Sequence, residues 1–502
     1  MSRRALVVGA GPNGLAAAIT LAESGRQVLV LEAAPAPGGA VATEELTLPG
    51  FRHDTFSAVH PAAVASPVFA AMPLERHGLR WLHPEACYAH PLPDGRAPAL
   101  YRDLDRTAAS LDAAAPGAGD SWRRFAAPYV DRFEAMRAAL LASFPPVRPA
   151  AALVGALGPR RAVELARFGL RPAEVLGREL FADAGARAWL YGSAMHGDVP
   201  VTARGSAIPA LFLNLLGHGV GWPSPEGGAG RLTDALVGYL ESLGGSVRTR
   251  ADVVEIAASR GRVDGVRLAS GEPVAGEIVI ADVMPAALAA LAGPTLATRY
   301  SRALRRYRPG PATLKLDWAL DGPIPWTAPE ARRAGTVHLG GDEDQLLRSA
   351  WHEGPPPERP YMLLGQQSIA DPTRAPDGKH TAWGYIRGPQ SADWASVRDR
   401  LVESMEAQVE RFAPGFRDLI LARHVLAPAD LQRRNANLIG GDVGGGSYRL
   451  GQVVFRPVAR PVPYSTPVRG LYIASAATFP GGAVHGVAGR AAATLAIRRA
   501  GR

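Results

Sequence analysis

Cysteine is almost missing from this 502-residue chain, in which Cys87 is the only one. A single cysteine excludes an intrachain disulfide framework, and it equally excludes a redox-active pair of cysteines. A chain of this kind suits a reducing compartment, so we expect a cytoplasmic protein.

Lysine is also scarce, since only Lys315 and Lys379 stand among the 55 basic residues. The formal net charge of +9 raises the question of nucleic acid or anionic lipid as a partner. The arginines are scattered along the chain rather than clustered in one basic stretch. We therefore do not expect nucleic-acid binding.

Hydrophobic runs of transmembrane length are absent as well. The best candidate, residues 207–220, is interrupted by Pro209, Asn214 and His218, so no membrane span is expected. The first residues lead directly into a predicted strand, which leaves no room for a signal peptide. With 47% hydrophobic and 20% charged residues, the composition predicts a compact protein that contacts a membrane at most peripherally.

Residues 5–32 contain the strongest motif of the chain. An apolar run breaks into a glycine turn, a helical pattern follows, and a second apolar run ends on an acid, which is the order of a dinucleotide-binding unit. Gly9 permits the tight turn, Gly11 lets the backbone approach a pyrophosphate, and Gly14 allows close helix–strand packing. The helix N-terminus offers N–H groups to the phosphates, and Glu32 can accept hydrogen bonds from ribose hydroxyls.

Gly38 and Gly39 close a second, proline-rich turn just after Glu32. A chain that binds NAD usually continues into a helix at this point. A Gly-Gly turn offers instead another backbone approach to a long, folded cofactor, which favours FAD. An ordinary proline–glycine loop is the alternative.

Three parts of the chain resemble the phytoene desaturase-like flavoproteins, which are relatives of the amine oxidases. The first is GAGPNGLAAAITLAESGRQVLVLEAAPAPGGA at residues 9–40, and the second combines residues 225–228 with the strand pattern at 253–256. The third joins residues 470–474 to 480–486 and is similar to the second FAD motif of the family. The resemblance covers nearly the whole chain. It is closest to the subgroup of pyridine nucleotide-disulfide oxidoreductase domain-containing protein 2, although a disulfide chemistry does not fit a single cysteine.

The resemblance implies a non-covalently bound FAD and assigns residues to its parts. The implied residues are Gly9, Gly11, Asn13 and Gly14 at the pyrophosphate, Glu32 at the adenosine ribose, Gly38 and Gly39 further along the cofactor, Val253 at the adenine, and Gly481, Gly482 and Val484 at the flavin ring. A helix that opens near Val484 would direct its N–H groups at the flavin O2 region. For Val253, an ordinary strand residue is the alternative.

The same resemblance implies an α/β fold in which a Rossmann-like FAD-binding domain is interleaved with a mixed α+β substrate-binding domain. The predicted FAD-binding segments are residues 1–75, 226–295 and 456–502. The predicted substrate-domain segments are residues 76–225 and 296–455.

Lys315, Asp317 and His485 are the candidates for a catalytic role. Lys315 alternates with apolar neighbours in a predicted strand, and a lysine kept in an arginine-rich chain suggests a need for its compact ammonium group. In the amine oxidase relatives, a lysine on the comparable strand holds a water near flavin N5, and Lys315 matches that lysine. Asp317 is one strand period away and is a candidate partner. A solvent-facing strand lysine is the alternative for Lys315. His53, His60 and His485 could each serve as a base, but a single histidine is more often a structural residue.

The resemblance implies an FAD-dependent oxidoreductase. We expect a desaturase or dehydrogenase that transfers a hydride from a C–H of an apolar, isoprenoid or lipid-like substrate to flavin N5, with oxygen or a quinone as electron acceptor. A flavin amine oxidase is one alternative, but Ala483 stands where its aromatic cage is expected, and Cys87 is far from the position of a cysteinyl flavin link. A non-catalytic lipid- or prenyl-binding protein, as in the Rab GDP dissociation inhibitors, is another, and the intact glycine motifs disfavour it. The histidines lack the spacing of metal ligands.

Overall fold

The computed structural model describes residues 4–197 and 199–501, apart from the side chain of Ser349. Its strands are β1 (Ala5–Val8), β2 (Val28–Leu31), β3 (Thr43–Glu44), β4 (His53–Asp54), β5 (Trp81–Leu82), β6 (Ala86–Ala89), β7 (Ala99–Leu100), β8 (Ser224–Pro225), β9 (Ser246–Arg248), β10 (Val253–Ser259), β11 (Arg262–Leu268), β12 (Pro273–Ala275), β13 (Ile278–Ala281), β14 (Ala312–Leu320), β15 (Ala334–Leu339), β16 (Met362–Gly365), β17 (His380–Gly388), β18 (Ile420–Leu426) and β19 (Leu471–Ile473).

The α-helices lie between these strands and after them. They are α1 (Pro12–Glu23), α2 (Pro61–Val64), α3 (Leu104–Ala114), α4 (Ala118–Val130), α5 (Phe133–Leu140), α6 (Val147–Leu157), α7 (Pro159–Leu170), α8 (Ala173–Leu180), α9 (Ala184–Ala194), α10 (Ala207–Val220), α11 (Gly230–Ser242), α12 (Pro285–Leu291), α13 (Thr298–Arg305), α14 (Pro329–Arg333), α15 (Glu343–Ser349), α16 (Trp394–Phe412), α17 (Pro428–Arg434), α18 (Leu450–Val453) and α19 (Val487–Ala500). In the described ranges, no helix is long and apolar enough to cross a membrane.

The first sheet consists of five parallel strands in the order β19-β13-β1-β2-β9. β1 and β2 are apolar at every position because both faces of a parallel sheet are covered. Helices α1, α11 and α19 pack on one face around Leu15, Ile19 and Leu236. Strands β10 to β12 and helix α12 cover the other face. This arrangement confirms the predicted α/β fold class.

The second sheet has seven strands in the order β18-β14-β17-β16-β15-β6-β7. Side chains alternate between its two faces. Leu314, Leu316 and Trp318 point to one face, where they form an apolar core with Met405 and Phe412 of α16. The opposite face is therefore the one that carries Lys315 and Asp317.

The two sheets are built from alternating stretches of the chain. The strands of the first sheet fall inside the segments 1–75, 226–295 and 456–502, and those of the second inside 76–225 and 296–455. The exact domain boundaries remain a prediction.

Candidate functional site

The first glycine turn leaves no space for side chains. A Cβ on Gly14 would lie 2.1 Å from the carbonyl oxygen of Gly9, and one on Gly11 would lie 2.8 Å from Asp282 Oδ2. Gly9 itself has φ of +98°, a conformation that favours glycine. The Gly14 N–H donates a hydrogen bond to Asp282 Oδ2 (2.9 Å). The turn is thus a bare backbone surface at the N-terminus of α1.

The last helix crosses the start of the first one. A Cβ on Gly489 of α19 would lie only 1.9 Å from the carbonyl oxygen of Asn13, so the two helix backbones are in direct contact. Gly489 was not among the predicted residues. The helix that was predicted to open near Val484 begins at Val487, after Gly486 in a left-handed conformation.

Glu32 connects three pieces of backbone at the end of β2. Its carboxylate accepts hydrogen bonds from the N–H groups of Ala10 (2.7 Å) and Ala34 (2.9 Å). The Ala251 N–H donates to the Glu32 carbonyl oxygen (2.8 Å), which brings the buried start of β10, Val253, to the same corner. The predicted contacts of Glu32 with ribose and of Val253 with adenine remain predictions.

The second glycine turn lies against the first. The Gly38 N–H donates to the Ala10 carbonyl oxygen (2.9 Å), and a Cβ on Gly39 would lie 3.1 Å from Gly11 Cα. Both Gly38 and Gly39 have positive φ, at +122° and +56°. The two glycine turns therefore form one continuous backbone surface, as their proximity in sequence predicts.

The C-terminal glycine turn packs on a second glycine loop. A Cβ on Gly482 would lie 2.2 Å from the carbonyl oxygen of Gly444, and the Gly482 N–H donates to the Tyr448 hydroxyl (2.7 Å). Gly481 and Ala483 adopt φ of +125° and +87°. Ala483 is exposed, and its methyl side chain supplies no aromatic ring at this position.

A buried arginine supports this turn. Arg456 is fully buried, donates to the hydroxyl of Tyr307 and to the carbonyl oxygen of Gly445, and lies 4.7 Å from the ring centre of Tyr448. Its Nη1 would be 2.6 Å from a Cβ on Gly481. No carboxylate of the described residues lies within ion-pair distance of this guanidinium. The sequence offers no local signal for Arg456, because its contacts come from residues distant in the chain.

Unpaired buried polar atoms occur in or next to these turns. Asn13 Oδ1, His485 Nε2 and Arg456 Nη1 are buried and have no hydrogen-bond partner within the described residues. His485 Nδ1 accepts from the Val487 N–H (3.1 Å), and burial lowers the pKa of His485 to about 4, so its imidazole is neutral. Bare glycine backbone together with unpaired donors and acceptors fits a large polar cofactor such as FAD.

The face of the second sheet opposite α16 brings together the other predicted residues. Lys315 Nζ donates to Asp317 Oδ1, and both side chains are buried. His53 Nδ1 lies 3.7 Å from the same Asp317 oxygen. Burial raises the pKa of the Asp317 carboxyl to about 6, whereas burial and the charge of Lys315 lower the pKa of His53 to about 3. The predicted pairing of Lys315 with Asp317 is thus present in the structure.

A buried ionic network next to this cluster was not predicted. Arg374 donates from Nη2 to Asp54 Oδ2 (2.7 Å) and from Nε to Asp371 Oδ2 (2.9 Å). The two acids in turn accept hydrogen bonds from the N–H groups of Ala229 (2.7 Å) and Gly227 (2.8 Å). The network therefore fastens β4 to the glycines that precede α11.

The carboxyl group of Asp282 makes stability depend on pH. Burial raises its pKa to about 7, above its ordinary value of 3.8, so the folded apoprotein binds a proton that the unfolded chain releases. Stability then falls as the pH rises from about 4 to 7. We expect Asp282→Asn to gain about 3 kcal/mol relative to wild type between pH 5 and pH 8, which urea unfolding of the apoprotein measures. The exposed Asp264, replaced in the same way, is the control, and an equal gain there would contradict the assignment.

Comparison with known proteins gives a consistent result. Residues 13–497 match the family described as flavin containing amine oxidoreductase. The chain is 28% identical over 551 residues to pyridine nucleotide-disulfide oxidoreductase domain-containing protein 2 of Rattus norvegicus, covering 98% of this chain and 93% of that protein. It is 28% identical over 505 residues to the all-trans-zeta-carotene desaturase of Myxococcus xanthus, covering 95% and 90%. An oxidoreductase structure from Methanosarcina mazei shares the fold, with a TM-score of 0.65 and 16% identity over 99% of this chain and 100% of that one.

Proposed function

Because the chain belongs to the family of flavin-containing amine oxidoreductases, it is an FAD-dependent oxidoreductase, and we propose that it is a desaturase or dehydrogenase of an apolar, isoprenoid or lipid-like substrate. The observation that carries this proposal is an aromatic cleft on the face of the second sheet opposite α16. The cleft is partly open to solvent and encloses about 30 Å³, and its walls include Trp351, Tyr361, Leu363 and Tyr385. Walls of this kind supply binding energy by removing apolar surface from water.

The protein's contribution to such a reaction is placement. When bound, FAD supplies the hydride acceptor. The glycine turns would hold it by backbone contacts, and the positive end of the α1 helix dipole would face its phosphates. The aromatic walls orient the substrate and exclude water.

The proton that leaves the substrate needs an acceptor, and Asp317 is the residue we assign to it. Its Oδ1 accepts from Lys315, while its buried Oδ2 has no partner among the described residues. A carboxyl pKa of about 6 suits a group that takes and returns a proton near neutral pH. Lys315 would hold the carboxylate in position.

Anaerobic titration tests the proposal. The purified holoenzyme is mixed with isoprenoid and fatty acyl compounds and, in parallel, with primary amines, and loss of the visible flavin absorbance is followed. We expect bleaching by an apolar C–H donor and recovery on admission of oxygen or a quinone. Bleaching by amines alone would support an amine oxidase, and a protein that binds no flavin would support the non-catalytic alternative.

Peripheral contact with a membrane is part of the proposal. Helix α6 carries a single charged residue, Arg148, yet Val147 and Val154 are 68% and 42% exposed. Leu170 at the end of α7 is 55% exposed. An exposed apolar surface with flanking arginines suits an anionic lipid interface. Flotation with phosphatidylglycerol vesicles should recover the wild type and not a Val147→Asp, Val154→Asp variant, and equal recovery would refute the contact.

A further inference from the structure

One arginine lines the cavity on the sheet face opposite α16, and its guanidinium is held in place by hydrogen bonds. Arg387 of β17 lines it together with Trp351, Tyr361 and Tyr385. Tyr385 is paired with Lys315 across β14 and β17, so the cavity begins one strand away from the Lys315–Asp317 pair. Arg387 lies two residues further along β17, on the same face.

The guanidinium of Arg387 is held by backbone. Its Nη1 donates to the carbonyl oxygens of His196 (2.6 Å) and Gly197 (2.7 Å), and its Cζ lies 5.4 Å from the ring centre of Tyr385. These contacts fix Nη1, and a side-chain hydrogen bond with Tyr385 also holds the group. The remaining N–H groups of the guanidinium can donate to an anion.

The surroundings provide no anion for it. No carboxylate of residues 4–197 or 199–501 lies within 4 Å of Arg387. The nearest acid that senses its charge, Asp442, already accepts hydrogen bonds from the N–H groups of Gly310, Gly444 and Gly446.

The neighbouring histidines add no charge of their own. Burial and the charge of Arg387 lower the pKa of His196 to about 3, and burial also lowers the pKa of His338. His196 Nε2 and His338 Nε2 are 2.9 Å apart, as in a hydrogen bond between neutral rings. Arg387 is the one arginine or lysine among the described cavity walls, which also include His352.

We propose that the cavity binds a carboxylate-bearing apolar substrate, with its carboxylate paired to Arg387 and its hydrocarbon part against the aromatic walls. This inference rests on the proposed function for the reaction, and it adds the substrate class. A carboxylate matches Arg387 in charge and can accept from its remaining N–H groups, whereas a plain hydrocarbon leaves the guanidinium without a counter-ion in the cavity.

Calorimetric titration of the holoenzyme with three probes of equal chain length tests the pairing. The probes are dodecanoate, dodecan-1-ol and dodecyl phosphate. We expect dodecanoate to bind at least tenfold more tightly than the alcohol. In Arg387→Gln this preference should fall to less than threefold, and Arg387→Lys should keep part of it. Arg398→Gln, on the exposed side of α16, is the matched control and should behave as wild type.

The outcomes distinguish a failure of the pairing between Arg387 and a carboxylate from a failure of the proposed reaction. Equal binding of acid and alcohol by wild type, or an unchanged preference in Arg387→Gln with a normal flavin spectrum and melting temperature, would overturn the pairing. Tighter binding of dodecyl phosphate than of dodecanoate would overturn the choice of a carboxylate. If the preference depends on Arg387 while no C–H donor bleaches the flavin, the site stands and the proposed reaction fails.

Discussion

Replacing Gly489 with alanine is expected to abolish tight FAD binding, raising the dissociation constant more than 100-fold. The new Cβ would lie 1.9 Å from the carbonyl oxygen of Asn13 and 3.0 Å from the backbone nitrogen of Ala17. Both neighbours are backbone atoms, so relief requires α1 and α19 to separate. That separation moves the helix N-terminus that we propose to face the cofactor phosphates.

Flavin content after purification and titration of the apoprotein with FAD measure this effect. The control is Gly155→Ala, because Gly155 also lies in a helix but a Cβ there would meet nothing within 4 Å. The control should bind FAD as wild type does and gain slightly in helix stability. Normal FAD affinity in the Gly489→Ala variant would show that the contact between the helices does not position the site.

Lys315→Met is expected to destabilise the protein by about 3–5 kcal/mol, because it leaves the buried Asp317 carboxylate without its cation. The loss should depend on pH. The folded-state pKa of Asp317 is already raised to about 6, and removal of Lys315 raises it further, so the variant loses stability as the pH rises and is least affected near pH 5.

The two lysines of the chain make a matched pair for this experiment. Lys379 also donates to an aspartate, Asp321, but that pair is about half exposed, so Lys379→Met should cost less than about 1 kcal/mol. A Lys315→Met, Asp317→Asn double variant should recover most of the loss, which denaturant unfolding of all four proteins can establish. Equal losses for the two lysine variants would show that Lys315 is not a buried partner.

The glycine turn that we propose for the cofactor, and the ion pair of Lys315 with Asp317, have local sequence signals. Gly9, Gly11 and Gly14 lie within one turn, and the spacing of Lys315 and Asp317 fixes their common face of a strand. Strand alternation thus predicted the ion pair that the structure contains.

Other parts of the site depend on contacts between distant segments. Asp282 meets Gly14 across 268 positions, and Arg374 meets Asp54 across 320. For Asp282 the sequence does hold a signal, an acid directly after an apolar strand, whereas Arg374 and Arg456 have none. The start of α19 was misplaced because the turn before it contains Gly481, Gly482 and Gly486, and any of these could end a loop.

The order of strands in the first sheet bears on how the protein is made. β1 has β2 as a neighbour almost at once, but its other edge pairs with β13, where Val8 faces Ala281. At about 5–20 residues per second, a ribosome needs tens of seconds to supply that second neighbour. During translation the central strand therefore has an open edge that can mispair until β13 is available.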